Sequence, residues 1–88
     1  VSFQLGRLVI TRNALSFCEG QGIDALALVV RHAHRDWGDL GAEDKRLNDE
    51  ALESGDRLFS AYDVQGARFF VITEWDRSVT TIMLAEDY

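Results

Sequence analysis

Two hydrophobic rhythms divide the chain. Positions 7–11, "RLVIT", form a short β-branched run that reads as a strand. Between Thr11 and residue 54 the apolar residues recur at helical spacing, and from residue 57 onward the period falls to two. Thr11 is suited to cap a helix over 12–20 that stops near Gly20. Asp24 reads as the N-cap of a second helix through "ALALVVRHAHR". Its inner face is expected to hold Leu26, Val29, Val30, Ala33 and Trp37, with Gly38 ending it. A third, more charged helix over 42–54 carries Leu47 and Ala51 as its inner stripe and meets a natural stop at Gly55.

The strand-like half contains "RLFSAYDV", "ARFFVITE" and "SVTTIMLA". Gln65 and Gly66 separate the first two as a two-residue hairpin loop, which sets Asp63 opposite Arg68, Ala61 opposite Phe70 and Phe59 opposite Ile72. Tyr62 with Phe69 and Ser60 with Val71 then share the other face. The turn around "EWDRS" leaves the face of Ile82 and Leu84 open. The predicted architecture is a single α+β domain: an N-terminal strand, three helices, then a three-stranded antiparallel β-meander packed on the helices. Both sheet faces would carry large apolar residues, so the uncovered one calls for a partner. A twofold homodimer through the sheet is expected.

Composition narrows the classes. Over 88 residues, 47% are hydrophobic, enough for one packed core. A single cysteine, Cys18, cannot form an internal disulfide, and with no signal-like or membrane-spanning run the expected compartment is the cytoplasm. The net charge of -6 is concentrated between Asp36 and Asp56, where eight carboxylates face only Lys45 and Arg46. Such a balance opposes nonspecific nucleic-acid binding, which needs clustered cations. It suits a solvated helix face or a basic partner.

One run, "VVRHAHRDWGDL" at 29–40, concentrates groups that could do chemistry. On a continuous helix His32 and His34 lie roughly 160° apart, so they cannot share a metal. His32 and Asp36 can meet, but two ligands do not make a zinc site. Neither a metal nor a cofactor is expected. The plainer expectation makes Trp37 a core anchor, leaves Arg31 and Arg35 in water, and brings His32 or His34 to the negative end of the helix.

The stretches "RHAHRDWGDL", "EDKRLN" and "ITEWDRSVTTIMLAEDY" resemble a family of small, uncharacterised bacterial proteins carried on plasmids, integron cassettes and other mobile elements, with the pattern RHxxGDWGDL, EDKxxN, ITExDRSxTTxLLPExY. Arg35 replaces a glycine of that pattern and Ala85 a proline. The resemblance implies a genetic context rather than an activity. The expected function is a small non-enzymatic protein-interaction or regulatory module, with His32, Asp36, Trp37 and Asp39 as candidate binding residues. The alternative is a metal-independent, toxin-like ribonuclease. In it His32 would be the general base, Arg57 and Arg77 would stabilise phosphate charge, and Tyr62, Ser78 and Thr80 would supply hydroxyls. A further alternative is an acidic DNA mimic.

Overall fold

The expected caps set the helices. In a computed structural model, which describes residues 3–88, the Thr11 hydroxyl accepts the amide of Ala14 and opens α1 (Arg12–Gln21), and Gly22 closes it in the left-handed conformation. The Asp24 carboxylate accepts the amide of Leu26 to open α2 (Ala25–Ala33). Helix α3 (Ala42–Ser54) has no side-chain cap. Glu43 and Asp44 in its first turn complement the positive end of the helix dipole instead, and Gly55 terminates it.

Strands β1 (Arg7–Ile10), β2 (Leu58–Val64), β3 (Ala67–Thr73) and β4 (Val79–Leu84) form a mixed sheet in the order β1-β4-β3-β2. This corrects the expected three-stranded meander. The fold is α+β, but the N-terminal strand runs parallel to β4, with Arg7 beside Val79 and Ile10 beside Ile82. The β2–β3 register is the one the Gln65–Gly66 loop requires. Both loop residues have positive φ, as the mirror-image hairpin turns demand. The β3–β4 turn leaves residues 75–78 between its closing positions, with the Glu74 amide donating to the Val79 carbonyl, and Thr73 therefore lies beside Thr80.

That register places Ile82 and Leu84 beside Val71 and Phe69, under the helices. The main core joins Ala14, Cys18, Leu28 and Val29 to Tyr62, Phe69, Val71, Ile82 and Leu84. A smaller cluster packs Trp37, Ala51 and Leu58 with Phe3, Leu40 and Leu52. The opposite sheet face carries Phe59, Phe70 and Ile72. A short 3-10 turn, Ala85–Asp87, carries Tyr88 back against Phe59 and Phe70, with ring centroids 5.6 and 5.8 Å away. Ile72 is buried, so the chain itself covers part of the face that was expected to need a second copy.

The second helix departs furthest from expectation. It ends at Ala33, and Arg35 turns the chain with φ 63°, so Trp37 reaches the core from a loop rather than from a helical stripe. Leu26 and Val30 are more than half exposed, whereas Leu28, Val29, His32 and Ala33 are buried. The inner face is thus rotated by roughly 70° from the one centred on Ala33. The polar residues of the sheet explain the rotation, because Ser60 and Thr73 stand beneath α2 and give His32 two hydrogen bonds. In α3 the same logic exposes Leu47 and buries Asn48.

Candidate functional site

His32 is fully buried, and its ring lies in an ordered chain of hydroxyls. The Thr80 hydroxyl donates its one proton to the Leu5 carbonyl at 2.7 Å, an atom that can only accept. The 2.7 Å bond between Thr73 and Thr80 must then be donated by Thr73. Thr73 in turn accepts from His32 Nε2 at 2.9 Å, which fixes the proton on that nitrogen. Nδ1 of the neutral ring is an acceptor, filled by the Ser60 hydroxyl at 2.6 Å. Burial lowers the His32 pKa to about 4, and the nearby Arg77 charge adds to the effect.

Residues 37–39 close part of the free edge of β2. Gly38 forms a parallel bridge with Ala61. The Asp39 amide donates to the Ala61 carbonyl at 2.7 Å, and the Ala61 amide to the Trp37 carbonyl at 3.2 Å. The Asp39 carboxylate accepts the amide of Asp63 at 2.9 Å. From α3, Asn48 takes the next edge position by donating to the Phe59 carbonyl at 2.7 Å and accepting the Phe59 amide at 3.0 Å. Gly38 is required here, since its φ is 81° and a Cβ would overlap the Ala61 carbonyl oxygen. An edge that would otherwise recruit foreign strands is occupied by the chain itself.

The residues expected to bind a partner are thus engaged within the fold. Trp37 is buried, stacks on Phe3 and donates its indole N–H to Asp49 at 3.0 Å. Asp36 pairs with Arg31, which holds its carboxyl below the usual range, and its carbonyl accepts the Tyr62 hydroxyl. Burial raises the Tyr62 pKa to about 12, and the Arg31 guanidinium lies 4.5 Å above the Tyr62 ring. His34, not His32, meets the negative end of α2, through the Val30 carbonyl.

The nuclease candidates do not converge on an open centre. His32 and Thr80 share the buried chain, whereas Ser78 bonds Asp76 in the β3–β4 turn. The Arg77 guanidinium donates to the carbonyls of Ala51, Asp56, Glu74 and Trp75, which fastens that turn to the end of α3. Arg57 pairs with Glu74 and donates to the Tyr88 hydroxyl. No substrate atom could reach His32 in this arrangement. Among the described residues no three His, Cys, Asp or Glu side chains converge on a point that could hold a metal.

The open chemistry lies elsewhere. A groove of about 610 Å³ runs along α3, with Leu40, Leu47, Ala51 and Phe59 as its apolar surface and Asp44, Glu50 and Asp56 among its acidic residues. Arg57 links this groove to Tyr88, which is 65% exposed although its ring touches Phe59, Phe70 and the Arg57 guanidinium. Sequence reasoning missed both Asn48 and the groove. An asparagine in a helix interior, at the end of "EDKRLN", was the available signal, because such a side chain favours a specific backbone partner.

Compared with known proteins, the chain matches no family model, no curated protein and no solved structure.

Proposed function

We propose that the protein is a small non-enzymatic interaction or regulatory module that meets a protein partner through Phe59, Phe70, Tyr88 and the adjoining α3 groove. Tyr88 carries this reading: it is largely exposed and yet already held by two aromatic rings and Arg57. A partner closing over a side chain fixed in advance loses less conformational freedom, which is why preorganised aromatic residues dominate binding energy. The context that the resemblance implies, carriage on a mobile element, belongs to the same proposal and asks for no catalytic activity.

The ribonuclease alternative rests on residue types, and the burial of His32 opposes it. The DNA-mimic alternative rests on the charge of α3. There Arg46 pairs with both Glu43 and Glu50, which thins the negative array that would imitate phosphates. Partner capture by a photo-crosslinking amino acid tests the interaction reading in cells of the encoding organism. Adducts with another protein are expected from positions 88 and 47 but not from position 15 in α1. No adduct from either surface position would sink the reading. RNA cleavage lost on His32→Ala, in protein that keeps its circular dichroism spectrum, would replace it with the nuclease.

A further inference from the structure

We propose that the groove along α3 accepts a positively charged amphipathic α-helix of the partner protein, an inference that rests on the interaction reading above. Asp44, Leu47, Asn48, Ala51 and Ser54 line the groove at steps of three and four, so they share one face of α3. From Asp44 to Ser54 that face extends about 15 Å, the length of roughly three helical turns.

The backbone chemistry beside the groove selects among occupants. An extended segment gains its affinity by pairing with an open strand edge. Here the Phe59 amide and carbonyl are held by Asn48, the Ala61 amide and carbonyl by Trp37 and Asp39, and the Asp63 amide by the Asp39 carboxylate. A strand laid in the groove would find the Phe59 and Ala61 groups already taken. A helix satisfies these groups internally and brings only side chains.

Charge selects the helix. Glu50 is already paired with Arg46, but among the described residues no ion pair engages Asp44 or Asp56. The one basic lining residue, Arg57, is committed to Glu74 and Tyr88. Lysine or arginine flanking the apolar stripe of the incoming helix would complement both acids. A second copy of the chain docked groove to groove about a twofold axis would instead bring Asp44 and Asp56 near the partner's acids, which disfavours it.

The test uses three synthetic peptides of about four turns, stapled because short helices are marginal in water. One carries leucines on one face and flanking lysines, its twin replaces lysine by glutamate, and the third is unstapled with a central proline. Binding to the intact protein is followed by fluorescence anisotropy at two salt concentrations and mapped by amide chemical shifts. The lysine helix is expected to bind and to shift Leu47, Ala51, Ser54 and Phe59, and the glutamate twin to bind roughly tenfold more weakly or worse. Leu47→Glu should weaken it, and Asp44→Asn with Asp56→Asn should flatten its salt dependence, each with an unchanged circular dichroism spectrum. Equal binding of the twins, equal binding of the proline peptide, shifts outside the groove, or peptide-free self-association through it would overturn the inference. If the peptides fail while crosslinking at position 88 still captures a protein, this inference falls alone. If the peptides fail and neither position 88 nor position 47 captures a protein, the interaction reading falls with it.

Discussion

The side-chain amide of Asn48 holds the backbone of Phe59 from both sides, donating to its carbonyl and accepting its amide. One side chain thereby does the work of a neighbouring strand at that position. Asn48→Ala strands both groups at a partly buried edge, and the expected loss is about 2–4 kcal/mol. Urea titration measures it, and light scattering should show increased self-association as the β2 edge opens. An unchanged urea midpoint would mean that water serves Phe59 equally well.

The pH dependence of stability follows from His32. Its pKa is about 4 in the folded protein against an ordinary 6.5, so the unfolded chain binds the proton more readily. The histidine's contribution is complete above pH 6.5 and is lost progressively as the pH falls toward 4. The total is about 3 kcal/mol. Denaturant titrations of the native protein and His32→Leu between these pH values should differ in slope, the variant lacking this component. Parallel slopes would place the ring in contact with water.

Two positions in the loop after α2 have left-handed backbone, and they respond in opposite directions. Gly38→Ala meets both the positive φ and the Ala61 carbonyl, and a loss of about 3 kcal/mol or more is expected. Arg35 is exposed with φ 63° and accepts a side chain only at a conformational cost. Arg35→Gly, which removes that cost, should stabilise the fold by about 0.5–1 kcal/mol. Thermal melts of the two variants shifting in the same direction would refute the assignment.

Trp37 is 4% exposed and packs against Phe3 and His32. Trp37→Ala should cost about 3–5 kcal/mol. Trp37→Phe keeps much of the packing but abandons the Asp49 bond, so it should lose only about 1 kcal/mol. Equal losses in chemical denaturation would show that the hydrogen bond, not the ring, anchors the loop.

Local chemistry made much of this fold legible in the sequence. Thr11, Asp24 and Gly55 mark helix ends because capping acts within a few residues. Gln65 and Gly66 specify the hairpin register because a two-residue loop permits few alternatives. The burial of Trp37 was legible too, although not its arrival from a loop. The face of α2 was not, because apolar spacing cannot reveal that Ser60 and Thr73 would make a buried His32 favourable. The place of β1 was hidden for a similar reason: no local turn specifies a parallel partner at the far end of the chain. The groove depends on how α3 stands against β2, a tertiary relation that no single segment encodes.

The parallel seam between β1 and β4 is also the strand pairing with the longest reach in sequence. The two hairpins of β2, β3 and β4 close over short loops, whereas residues 7–10 must find 79–82 across almost the entire chain, the slower kind of contact to form. The Leu5 carbonyl, immediately before β1, is the acceptor that orients Thr80, Thr73 and the His32 proton in turn. Before the first strand docks, this chain of hydroxyls has no fixed direction, and the histidine can carry its proton on either nitrogen. The strand pairing with the longest reach along the chain is therefore also the one that chooses the tautomer at the centre of the protein.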